Sequence, residues 1–225
     1  TIAASTRRDD NSQFKDANTF KVELIYDLSA NSRLRSSYGT AIKNPTFTER
    51  FGFYTNFIGN SFLQPEKSTS WELGLDQKFY GGNFTLSATL FNSELDNEIN
   101  GNAIDPITFG FTAINKLGLS KRNGLELNSS IKPSKNITLN TSYTFTQSQE
   151  LDAIGKYQNE VRRPRHIASF NLSWQQSDSF SINTNLQYNG SQEDIVYPTN
   201  IKLADYTIFN LSANLRISKK LDTYL

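Results

Sequence analysis

The sequence predicts an all-β protein, an antiparallel transmembrane β-barrel wall of about ten full strands and the start of another. Three observations carry this. Apolar and polar residues alternate with period two through most of the chain, short and long connections alternate between the strands, and a chain that is only 36% hydrophobic holds 16 Phe and 10 Tyr. Few apolar residues with many aromatics is unusual for a soluble core. It suits a barrel with an apolar outside and a wet inside, where lipid meets only every second residue.

The strands follow in order. Residues 1–8 give a weak strand signal, with Ile2, Ala4 and Thr6 on one face, before a polar run over 9–18. The signal becomes strong where Phe20, Val22, Leu24, Tyr26 and Leu28 alternate with Lys21, Glu23, Ile25 and Asp27. A turn at 29–32 leads to Leu34, Ser36 and Tyr38 against Arg33, Arg35 and Ser37, the first hairpin. After a long loop, Trp71, Leu73, Leu75 and Phe79 alternate with Glu72, Gly74, Asp76 and Lys78, and Gly81-Gly82-Asn83 turns the chain into Phe84, Leu86, Ala88 and Leu90. A second loop over 100–110 carries Gly101-Asn102 and Asp105-Pro106; re-entry is expected near Phe111, with alternation resuming at Arg122. A turn at 132–136 leads to Ile137, Leu139, Thr141, Tyr143 and Phe145. A third loop spans 148–160, then Ala168, Phe170, Leu172 and Trp174 pair, across a turn at 176–179, with Phe180, Ile182, Thr184, Leu186 and Tyr188. A fourth loop over 190–205 holds Tyr197-Pro198, and a last full strand runs from Thr207 to Ile217. Short turns thus fall at one end of the sheet and long loops at the other, and no helix of any length is required.

A soluble sandwich or lipocalin-like barrel would alternate too. Its second face should then be apolar, whereas this one repeatedly presents Lys21, Glu23, Arg33, Arg35, Glu72, Asp76 and Lys78; charges are rarely buried without partners. No apolar run reaches the roughly 18 residues of a spanning helix. The absence of cysteine removes disulfides, thiolate metal sites and Cys nucleophiles together, and a net charge of +1 gives no electrostatic footprint for nucleic acid.

Residues 37–74 organise the rest. Pro45 and Pro65, which cannot donate to a ladder, bracket a loop rich in Phe47, Phe51, Phe53, Tyr54, Phe57 and Phe62. Without the alternation of the flanking strands, these rings belong to a loop packed on itself or on a ligand. Catalysis finds little support: His166 is the only histidine, beside Arg163 and Arg165, with no nucleophile and base grouped around it. Asp9-Asp10 and Glu193-Asp194 lack calcium-loop spacing, and neither glycine pair precedes a helix that would make it a phosphate cradle. No enzyme activity, catalytic residue, metal site or cofactor is expected.

The stretch Tyr38-Gly39-Thr40-Ala41-Ile42-Lys43-Asn44-Pro45, with Asn60-Ser61-Phe62-Leu63-Gln64-Pro65-Glu66-Lys67-Ser68 and Trp71-Glu72, resembles the barrel of TonB-dependent outer-membrane receptors; Ser61 stands where that pattern has Pro. Arg122-Asn123-Gly124-Leu125-Glu126 and Arg163-Pro164-Arg165-His166 look like the same family. Gly52-Phe53-Tyr54 with Asn60 and 65–68 is most similar to vitamin B12 (cobalamin) receptors, and siderophore receptors share much of it.

The resemblance implies a barrel of about 22 strands around a plug, in the outer membrane of a Gram-negative bacterium. Residues 1–225 would be its C-terminal part, a partial barrel domain without plug or first strands and with the final strand truncated. It implies active uptake of a scarce metal-bearing nutrient, with TonB acting on the missing plug region, a small metal chelate as ligand and outer-membrane lipid around the wall. The implied ligand contacts are Phe51, Phe53, Tyr54, Phe57 and Asn60, with Tyr157 and Tyr197 as further candidates. The competing class is a non-transporting outer-membrane barrel whose loops bind protein or phage partners.

Overall fold

The computed structural model describes residues 1–225 except Tyr54, Thr55, Ala153, Tyr197, Pro198, Lys219, Lys220 and Leu225, and the side chain of Asn102. In chain order the elements are β1 (Ile2–Asp9), β2 (Ala17–Ser29), β3 (Ser32–Lys43), α1 (Phe47–Phe51), β4 (Phe57–Ile58), β5 (Glu66–Phe79), β6 (Phe84–Asp96), β7 (Ile99–Ile104), β8 (Phe111–Asn115) and β9 (Leu119–Ser134). There follow β10 (Ile137–Leu151), β11 (Tyr157–Asn159), β12 (His166–Ser177), β13 (Phe180–Asn189), β14 (Gln192–Val196), β15 (Thr199–Leu203), β16 (Tyr206–Ser218) and β17 (Leu221–Tyr224).

One antiparallel sheet forms the wall, ordered β1-β2-β3-β5-β6-β9-β10-β12-β13-β16-β17, with β11 added beside β10. Each wall strand pairs with the next one in sequence, so the topology is a meander without crossovers. β1 and β17 are its two edges among the described residues.

The register shows two faces with two solvents. Across one face Tyr26, Leu34, Leu75, Ala88, Leu127, Tyr143, Ala168 and Tyr188 stand opposite one another from strand to strand. One residue along, the other face carries Arg33, Asp76, Ser87, Asn128, Ser142, Ser169 and Gln187. Because side chains alternate strictly, a slip of one residue would put every leucine where a charge should be, which pins the register. The polar face satisfies itself laterally. Arg35 donates to Asp76 at 2.8 and 3.1 Å and to Ser87 at 3.1 Å, and Ser87 donates to Asp76 at 2.7 Å. Farther along, an amide ladder runs from Asn210 to Asn185 at 3.2 Å and from Asn185 to Asn171 at 2.7 Å.

At Gly124 the wall has no room for a side chain. A Cβ there would sit 2.0 Å from the Phe145 carbonyl oxygen and 2.7 Å from the Phe91 ring. Glycine leaves room for the tip of that ring.

β9, with 16 residues, and β10, with 15, each span about 50 Å at 3.3 Å per residue. The 9 to 11 or so residues of a spanning strand account for only part of that length. Both therefore run past the membrane at the long-loop end and carry the excursions above it.

Two expectations are corrected there. The loop after β3 contains a helix, α1, because Thr46 and Glu49 form a reciprocal capping box that satisfies the first turn. Phe111 starts β8 in a separate three-stranded sheet ordered β4-β8-β7, and the chain re-enters the wall only at Leu119. Periodicity over five residues could not tell these from wall strands.

Candidate ligand site

The long connections gather at one end of the wall, and the buried side chains lie there. Leu63, Ile99 and Ala113 form a cluster with Phe57 packed against it, and Leu63 and Ala113 are 1% and 0% exposed. The cluster exists because the first loop closes onto the second: β4 runs parallel to β8, with Phe57 opposite Phe111. Two glycines permit the approach. A Cβ on Gly52, at φ +74°, would meet the Phe57 carbonyl at 2.6 Å, and one on Gly59 would meet the Phe51 backbone at 2.4 Å.

Asn60 latches this closure. Its amide donates to the Ala113 carbonyl at 2.9 Å, its side-chain oxygen accepts from the Phe62 N–H at 3.0 Å, and its own N–H donates to the Glu49 carbonyl at 2.9 Å. Gln64 and Asn115 add a reciprocal pair, at 2.8 and 2.9 Å.

Of the residues expected at the ligand, Phe51, Phe53, Phe57 and Asn60 come together in this one excursion with two different roles. Phe57 and Asn60 belong to its scaffold. Phe51 is 54% exposed and Phe53 83%, so these two rings remain presented outward. Phe51 packs on Phe47 with centroids 4.9 Å apart, and the Arg50 guanidinium lies 4.9 Å from the rings of both Phe51 and Phe14, tying in the β1–β2 connection. Tyr157 sits on β11 under the Lys121 ammonium, 5.0 Å from its ring centre, in a different excursion. Tyr54 and Tyr197 lie outside the described residues.

A second feature escaped the sequence: an ionic network at the tops of β9 and β10. Arg122 pairs with Glu98 at 2.6 Å and Glu160 at 3.0 Å; Lys116 reaches Glu98 at 3.4 Å and also Glu150; Arg163 approaches Glu160 at 3.4 Å; and Ser148 donates to Glu160 at 2.7 Å. Glu160 is only 5% exposed. Burial pushes the Glu98 carboxyl up, but a hydrogen bond from Ser120 and the charges of Arg122 and Lys116 outweigh it and hold the group below the usual range. Burial pulls Lys116 down, and Glu150, Glu98 and Glu160 more than restore it, so its pKa is raised. The members come from four separate stretches of chain, and only the meander folds them together; no local spacing signals this.

His166 accepts or donates at 2.8 Å with the Tyr143 hydroxyl and lies against the Phe145 ring, on the apolar face. Among the described residues no group of three or more His, Asp or Glu could hold a metal ion.

The family model for the TonB dependent receptor-like β-barrel matches residues 1–225. The chain belongs to that family. Its meander is thus a stretch of TonB-dependent receptor barrel wall. Solved structures share the fold: a variant of the ferric enterobactin receptor PfeA of Pseudomonas aeruginosa, at 20% identity and TM-score 0.75, covering 99% of this chain and 36% of that one. The siderophore receptor PirA of Acinetobacter baumannii matches at 15% identity and TM-score 0.77, covering 97% and 37%. The copper transporter OprC matches at 17% and 0.73, covering 91% and 32%. This TonB-dependent receptor barrel therefore spans about a third of the length of the solved receptors it resembles.

Proposed function

We propose that this barrel wall belongs to a receptor that captures a scarce metal-bearing nutrient, a ferric siderophore or cobalamin, with its external loops and imports it across the outer membrane of a Gram-negative bacterium. A plug pulled by TonB would gate the path. In this reading residues 1–225 are a partial barrel domain, completed by a plug and further strands, and Phe51 and Phe53 offer apolar contact to the cargo, with Tyr54, Tyr157 and Tyr197 as further candidate contacts. The observation that carries the reading is the external layer: a buried scaffold holding two outward phenyl rings above a wall whose inner face is predominantly polar. That combination suits selective capture followed by aqueous passage. The relatives named as siderophore receptors and a copper transporter support a metal-bearing cargo.

The test is titration of the full-length, detergent-solubilised receptor with cyanocobalamin and with a ferric siderophore, following intrinsic Trp and Tyr fluorescence. Saturable binding of one, weakened in a Phe51→Ala/Phe53→Ala variant, is expected. Binding of neither, with protein ligands captured instead, would replace import by the adhesive reading.

A further inference from the structure

Beside the ionic network lies a cavity of about 250 Å³, walled on one side by the tops of β10 and β11 and on the other by the β14–β15 ribbon. The ribbon is fixed in place: the Arg162 N–H donates to the Glu193 carbonyl at 2.7 Å, and the Arg162 side chain pairs with Asp194 at 2.7 Å. Three cations line the cavity, Arg163, Arg165 and Lys202, with two carboxylates, Glu160 and Glu193.

The charges do not cancel locally. Glu160 is already shared by Arg122, Arg163 and the Ser148 hydroxyl. Glu193 stands directly opposite Lys202 on the ribbon, but the two form no ion pair, and Lys202 has no partner among the described residues. Among the described residues the Arg165 side chain donates only to the neutral Asn159 amide oxygen, at 2.9 Å. A guanidinium and an ammonium thus face a common space without a carboxylate on either, next to the Gln192 amide. Ser148 stands opposite Arg122 and, by alternation, on the same face as Thr144 and Glu126, so the cavity lies on the polar, lumen side of the wall at its long-loop end.

We propose that this cavity is an oxyanion site: Arg165 and Lys202 hold a carboxylate or phosphate group at the lumen mouth, with Gln192 as a neutral donor. Guanidinium forks favour planar bidentate oxyanions, and an ammonium adds a point charge. The volume suits one small acidic group and excludes a whole metal chelate, so the site takes hold of an acidic handle on the cargo. That last identification rests on the import reading; the site itself does not.

The experiment is isothermal titration calorimetry of the full-length receptor in neutral detergent with citrate and with inorganic phosphate, triethyl citrate serving as the uncharged analogue. Citrate or phosphate is expected to bind saturably and triethyl citrate not at all. Arg165→Gln with Lys202→Gln should weaken binding by about tenfold for each of the two charges removed. Lys135→Gln, in the turn between β9 and β10, should leave it unchanged. Both substituted cations are exposed, and heat-modifiable electrophoretic mobility checks that each variant is folded. No anion binding, or equal binding by the double variant, overturns the site. A receptor that binds citrate in this way but takes up no nutrient in cells keeps the site and loses import; one that takes up nutrient normally without binding either anion loses the site alone.

Discussion

The wall and the external layer are built on opposite principles. Among the described residues, buried aliphatic side chains occur only in the layer and at the strand ends beneath it, at Leu63, Leu95, Ile99 and Ala113, and the buried polar ones, Thr112, Ser120, Ser148 and Glu160, lie there as well. Along the wall Leu73, Leu75, Leu90, Leu211 and Leu215 remain more than a third exposed. A soluble sheet could not tolerate this, whereas a barrel wall needs its apolar face open to lipid and its polar face open to the lumen. The wall holds together through its backbone ladder, so its weak points are backbone positions. The layer holds together through side chains, so its weak points are Asn60, Leu63 and Glu160.

Substitutions that separate the two principles break this contrast in order of severity. Gly124→Val drives a side chain into the Phe145 carbonyl and the Phe91 ring, and it should abolish folding into vesicles, with no heat-modifiable band on electrophoresis. Glu160→Ala leaves Arg122 and Arg163 without their shared carboxylate; it should destabilise the layer by about 3 kcal/mol while wall strands keep their amide protection in hydrogen exchange. Leu127→Arg, on the apolar face, should cost about 2–4 kcal/mol in reversible unfolding from bilayers, and Asn128→Arg, one residue along on the lumen face, close to nothing.

The smallest effect is that of pH. Glu98 has a depressed folded pKa, so its contribution is present above the ordinary carboxylate value of about 4.3 and is lost as pH falls through the folded value. Lys116 has a raised one, so its contribution is present below about 10.4 and is lost as pH rises through the folded value. A nitroxide at position 117 should therefore show constant mobility from about pH 5 to pH 9 and loosen only outside that window.

Most of the wall was legible because period-two alternation is a local signal. The pairs from Phe20 to Leu28 and from Phe180 to Tyr188 name their faces without any knowledge of their neighbours, and the glycine and proline turns mark where strands reverse. The layer was legible only in part. Pro45 and Pro65 bracket the first loop correctly, but α1 depends on a capping box just past a proline, and the β4–β8 pairing joins residues about fifty apart. Asn60 read as a ligand contact because an exposed-loop amide looks the same in sequence whether it faces cargo or a carbonyl; only the position of Ala113 assigns it to the scaffold. Arg122, noted in a family-like segment, gave no hint that Glu98 and Glu160 would converge on it.

The two-solvent wall is tested most directly by single nitroxide labels placed in turn at residues 125–130 of β9 in the full-length receptor reconstituted in bilayers, with accessibility read from relaxation by oxygen and by a water-soluble nickel chelate. Oxygen should dominate at 125, 127 and 129 and the chelate at 126, 128 and 130. Equal accessibility of both reagents along the strand, or an alternation of the opposite phase, would contradict a lipid-facing leucine row and with it the reading of this chain as an outer-membrane barrel wall.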